Sequence, residues 1–150
     1  MAALKVLAFA AASGRIASVV IVEDTLLDWR LSDKAAETVK DASAYATRLI
    51  DEFAPDVVVT EDVFGTTHKG GKTRTLITAI ADTADEAGTL SVSLPREQRY
   101  ANKYAEAEAL VAKFPELKPW QPATRLFYDS EPRNTVLFEA LALALQLINN

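Results

Sequence analysis

The sequence predicts an α/β domain spanning residues 1–150, built on one mixed five-stranded sheet whose first three strands are antiparallel, with helices on both faces. Three observations lead there. Up to Leu31 the chain holds apolar, β-branched-rich segments separated only by short turn-forming stretches, which is the pattern of hairpins. Two later apolar runs, Val57–Val63 and Thr89–Leu94, each follow a helical pattern, which is the signature of parallel crossovers. The final segment is apolar nearly all round, as a helix buried against a sheet must be.

Leu4–Ala10 reads as the first strand, buried on both sides, and Ala11–Arg15 as a turn. Ile16–Val22 is a second strand, antiparallel to the first because the connection is so short. Glu23-Asp24 then turns the chain into a third strand, Thr25–Leu31. Ser32 or Asp33 caps a helix over Lys34–Phe53, where Ala35, Val39, Ala42, Ala46, Leu49, Ile50 and Phe53 recur at helical spacing and Pro55 stops it. Val57–Val63 is strongly β-branched and reads as a strand. The polar loop Gly65–Lys72 leads to a helix carrying Leu76, Ile77, Ile80, Ala84 and Ala87, with Gly88 at its C-terminal turn. Thr89–Leu94 is the fifth strand. A helix through Tyr100, Tyr104, Ala107, Val111 and Phe114 ends at Pro115, the stretch to Pro132 is irregular, and Arg133–Ile148 is the last helix.

Composition narrows the chemistry. Hydrophobic residues make up 49% and charged residues 25%, an ordinary globular balance. The absence of Cys excludes disulfides, thiolate zinc sites and Cys nucleophiles. The single histidine, His68, leaves no His-based zinc site and makes a Ser-His triad improbable. Any metal chemistry must therefore use oxygen ligands, which suit Mg²⁺ or Mn²⁺. The net charge of −5 weighs against general nucleic-acid binding, but it is unevenly spread. Residues 65–81 carry Lys69, Lys72 and Arg74 with no acid, and residues 95–104 carry Arg96, Arg99 and Lys103 against Glu97 alone. A local basic surface on an acidic body is the expectation. The N-terminus resembles a short signal peptide, but its apolar run is brief and Arg15 and a β-branched stretch follow. No run approaches the roughly 18–20 apolar residues that a membrane span needs, so a cytoplasmic location is expected.

Four stretches carry a resemblance: Val6-Leu-Ala-Phe-Ala-Ala-Ala-Ser13, Pro55-Asp-Val-Val-Val-Thr-Glu-Asp-Val-Phe64, Ala101-Asn-Lys103 ahead of an amphipathic helix, and Phe138-Glu-Ala-Leu-Ala-Leu-Ala144. Taken in order along nearly the whole chain, they resemble the RuvC-type Holliday-junction resolvases, which have the ribonuclease H-like fold. The resemblance implies a homodimer acting on branched or structured DNA. It also implies carboxylates from the first strand, the fourth strand and the last helix that hold two Mg²⁺ or Mn²⁺ ions, one to activate the attacking water and one to stabilise the leaving oxygen.

Carried over onto this sequence, Glu61 stands at the fourth-strand acid and Glu139 at one acid of the last helix, both as catalytic and metal-binding candidates. The first-strand position is Ala10, and the other last-helix position is Val136, so two of the family's four carboxylates are missing. Asp24, Asp62, Asp129 and Glu131 are the acids available to substitute, and Glu131, just ahead of the last helix, is taken as the third metal-ligand candidate. Lys69, Lys72, Arg74, Arg96, Arg99 and Lys103 are the candidate phosphate contacts.

Each feature also has a plainer reading. Glu61 can be an ordinary strand-end acid, and Glu139 can be one half of a salt bridge. Tyr100 and Tyr104 fit core packing as well as base stacking. The loop Gly65–Arg74 invites a phosphate-binding P-loop, but five residues rather than four separate Gly65 from Gly71-Lys72-Thr73. Three functions follow: a metal-dependent junction nuclease with a degenerate site, a catalytically silent binding or assembly module of the same fold, and, on the off-register loop alone, a nucleotide binder.

Overall fold

The computed structural model describes residues 3–12, 14–64, 69–97, 99–122 and 134–149. Its elements are β1 (Lys5–Ala12), β2 (Arg15–Val22), β3 (Thr25–Ser32), α1 (Val39–Phe53), β4 (Val57–Glu61), α2 (Gly71–Glu86), β5 (Leu90–Leu94), α3 (Lys103–Lys113) and α4 (Thr135–Ile148), with short 3-10 turns at Lys34–Ala36 and Pro115–Trp120. The sheet order is β3-β2-β1-β4-β5. β1 pairs antiparallel with β2, and β2 with β3, while β4 lies parallel to both β1 and β5. The expected mixed sheet with an antiparallel opening is the observed one.

Strand alternation divides the core in two. Leu7, Phe9, Ala11, Ile16, Val20 and Val58 face α1 and α2. Val6, Ala8, Ala10, Ala17, Val19, Val57 and Val59 face α3 and α4. On this second side the small side chains of Ala8, Ala10 and Ala17 keep the sheet surface low, and α4 lies across β1 and β2. α4 can take this place because Val136, Leu137, Phe138, Ala140, Leu141, Leu143 and Ala144 are all buried. Both sheet faces are therefore covered by helices.

The first helix differs from its expected span. A single helix over Lys34–Phe53 is instead a 3-10 turn, for which Ser32 Oγ accepts from the Ala35 N–H, and then α1 proper. The break is Thr38, whose backbone is extended at φ −140° and whose hydroxyl oxygen accepts from the Asp41 N–H at 3.0 Å. A side-chain acceptor that satisfies a free helix N–H fixes a helix start there. Val39, expected in the apolar stripe, is accordingly left exposed on the first turn. Tyr100 also lies outside α3 and is exposed, because Asn102 caps that helix by accepting from the Tyr104 and Ala105 N–H groups. Gly88, at φ +78°, supplies the left-handed residue that closes α2. Among the described residues no helix is long and apolar enough to cross a membrane.

One titrating group is buried in the α1 side of the core. Burial pushes the Tyr45 phenol up, and its oxygen lies 2.9 Å from Ser18 Oγ. A phenol whose folded pKa is raised contributes stability that is fully present below its unfolded value of about 10 and is lost as pH rises through the folded value. Thermal unfolding followed from pH 8 to 11 is expected to show a fall in Tm above about pH 10 that Tyr45→Phe largely removes.

Candidate functional site

Because β1, β4 and β5 run parallel, their carboxy-terminal ends share one edge of the sheet, where open α/β sheets carry their sites. Ala11, Glu61 and Arg96 stand at or just beyond those three ends. Alternation from Val57 and Val59 turns Glu61 to the α4 side, and α4 presents Glu139 to the same edge. The two acids, 78 positions apart in sequence, are joined by one cation. Lys69 Nζ lies 3.0 Å from Glu139 Oε1 and 3.8 Å from Glu61 Oε1. It also donates to the Ala11 carbonyl oxygen at 2.8 Å. The side chains are largely withdrawn from solvent, at 8% exposure for Glu61, 14% for Lys69 and 20% for Glu139.

A second cation backs the first. Arg96 forms a two-pronged pair with Glu106 of α3, at 2.5 and 3.1 Å, and its Nε reaches within 4.0 Å of Glu139 Oε1. Burial alone would push the guanidinium down. The hydrogen bonds and charge of Glu106, with the charges of Glu139 and Glu61 beyond, outweigh burial and hold Arg96 above its ordinary value. Gln146 of α4 closes this corner by donating to the Pro95 carbonyl oxygen at 2.7 Å and accepting from the Glu97 N–H at 3.3 Å. At the start of α4, Arg15 bridges Asp33 and Asn134, which ties the helix to the β1–β2 hairpin.

The remaining basic residues are placed differently. Lys72 and Arg74 are exposed on the first turn of α2, which carries no acid. Arg99 is exposed but pairs with Glu97, and Lys103 lies over the Tyr104 ring at 5.6 Å. Glu131, Asp129 and His68 lie outside the described residues. Of the other acids weighed, Asp62 accepts from the Phe64 N–H. Asp24 sits in the β2–β3 turn, at the opposite end of β1 from Glu61.

Among the described residues the donor set does not fit a two-ion centre. Such a centre needs several carboxylates converging from separate elements. Ala10 and Val136, both buried, offer only hydrocarbon. The two acids that do converge already share an ammonium, and among the described residues no group of three or more His, Cys, Asp or Glu could hold a metal ion. What the edge can do chemically is hold an internally paired acid–base cluster beside an exposed basic helix start.

Three participants escaped the sequence reading. Glu106 is buried, and its signal was its place one and two turns before Leu110 and Phe114, on the buried stripe of α3. Gln146 was the one amide among the aliphatic side chains of α4. Phe64, three residues after Glu61, is 82% exposed, and nothing in an apolar stretch announces that its last aromatic faces water.

No family model and no curated protein matches the chain. Solved structures do. Thermus thermophilus RuvC in complex with a Holliday junction substrate superposes with a TM-score of 0.64 at 21% identity, over 95% of this chain and 90% of that one. The fowlpox virus resolvase in complex with Holliday junction DNA gives a TM-score of 0.60 at 12% identity, over 97% of each chain. A second Thermus thermophilus RuvC structure gives 0.58 at 16%, over 98% of this chain and 97% of that one. Element order, sheet topology and these near-complete superpositions agree: the chain has the ribonuclease H-like fold of the RuvC-type Holliday junction resolvases.

Proposed function

We propose that this protein binds branched DNA as a homodimer, using the sheet edge where β1, β4 and β5 end, and that it does so without two-metal cleavage. The observation that carries the reading is the Lys69 ammonium set between Glu61 and Glu139 in a junction-resolvase fold. The two carboxylates that would hold cations already share an internal ammonium, while two cations, Lys72 and Arg74, stay exposed a few residues away. Exposed cations at a helix start suit phosphate, because the free N–H groups and the helix dipole add to them. Phe64 lines one surface groove with Arg74 and has an open face on which an unstacked base at a branch point can rest. A two-fold dimer would present two such edges to the arms of a four-way junction.

The test is a fluorescence-anisotropy titration of a four-way junction and of a linear duplex with the same arm sequences. Junction affinity at least tenfold above duplex affinity supports the reading, and equal affinities contradict it. Phe64→Ala is expected to weaken junction binding by about 1–3 kcal/mol, roughly 5- to 150-fold, and to leave Tm within a degree or two because the ring buries so little surface. Lys72→Ala with Arg74→Ala is expected to weaken junction and duplex alike and to reduce the slope of log K against log salt by about 2, one for each phosphate no longer neutralised.

A further inference from the structure

We infer that the Lys69 ammonium is a tethered cation that holds the seat a divalent ion would otherwise take, so that the chain refuses Mn²⁺ there only while residue 69 is charged. Three oxygens from three separate elements surround Nζ: the Ala11 carbonyl at the end of β1, Glu61 at the end of β4 and Glu139 on α4. They are hard oxygen donors of the kind that Mg²⁺ and Mn²⁺ prefer. An ammonium carries three N–H donors and one positive charge; here it donates to the Ala11 carbonyl oxygen and to Glu139, and holds Glu61 at 3.8 Å by charge. Against two carboxylates it leaves one negative charge in the ring, which Arg96 at 4.0 Å from Glu139 offsets in part.

The same arrangement shows how the lysine excludes a metal. A divalent ion placed beside Nζ would meet a fixed positive charge a few ångströms away in a poorly hydrated corner, where repulsion is weakly screened. Lys69 enters from the chain that joins β4 to α2, so its cation is part of the polypeptide and cannot be diluted or chelated away. Ala10 and Val136 then cost the site nothing, because a monovalent cation with three donors needs fewer carboxylates than a pair of divalent ions. Removing the charge while keeping the stem leaves two carboxylates and a carbonyl facing a space of one cation.

The lysine seat lies on the same edge as the proposed DNA site but is read without DNA, so its failure would leave the binding proposal standing. Mn²⁺ binding is measured by isothermal titration calorimetry on the wild-type chain, Lys69→Met, Lys69→Gln and Lys69→Met/Glu139→Gln, alongside thermal unfolding with and without Mn²⁺. The neutral variants are expected to bind one Mn²⁺ at least tenfold tighter than the wild type, to gain Tm with Mn²⁺ as the wild type does not, and to lose both effects with Glu139→Gln. Wild-type binding as tight as that of Lys69→Met would overturn the inference. So would neutral variants that gain no Mn²⁺ affinity, or variants that unfold and are not refolded by millimolar Mn²⁺.

Discussion

Replacing Glu106 by alanine is expected to destabilise the fold by about 3–5 kcal/mol, since it removes one partner of a buried ion pair and leaves the other charged. Glu106 is 2% exposed, and it takes both hydrogen bonds of the Arg96 fork. Without it the guanidinium keeps its desolvation cost, and among the described residues the carboxylate left in ion-pair range is Glu139 at 4.0 Å. Urea unfolding of Glu106→Ala measures the loss. Arg96→Met combined with Glu106→Leu is expected to recover much of it, because an apolar pair of similar volume pays no charge burial. If Glu106→Ala costs under about 1 kcal/mol, the pair is behaving like a surface salt bridge and the corner is wetter than its geometry implies.

Phe138→Ala is the other large effect expected, at about 3–5 kcal/mol by the same measurement. The ring is 1% exposed in the cluster between α4 and the sheet, and truncation leaves a cavity that the small side chains Ala8, Ala10 and Ala17 cannot fill. Its consequence reaches the site, because Glu139 is the next residue of the same helix. A loosened α4 lets the Glu139 carboxylate drift from Lys69 and Arg96. The contrast with Phe64→Ala separates two aromatic residues of equal size: one, buried, holds the helix that carries an acid, and the other is largely exposed.

The sheet was legible because β1, β2 and β4 are written in Val, Ile, Leu and Ala almost without interruption, and because Gly14 and Glu23-Asp24 mark turns too short for anything but hairpins. Helix ends were less so. Thr38 and Asn102 each start a helix through a side-chain cap, and the apolar spacing continues past both as though nothing intervened. At the site, Glu61 and Glu139 stood out as carboxylates in apolar company, but which partner neutralised them did not. Lys69 follows a Gly- and Thr-rich loop whose composition reads as solvated, and the inward turn of its ammonium depends on three oxygens brought together only by the folded sheet and α4. Arg96 raised the same difficulty. Beside Arg99 and Lys103 it reads as part of a basic surface, whereas its partner Glu106 lies ten residues on, across a strand-to-helix turn.

The proposal that the Lys69 ammonium replaces metal ions between Glu61 and Glu139 is tested most directly by strand cleavage. An end-labelled four-way junction is incubated with the protein in Mn²⁺ and in EDTA, and the products are resolved on native and denaturing gels. A shifted junction and intact strands are expected in both buffers. Mn²⁺-dependent nicks that disappear in Glu61→Gln would contradict the claim.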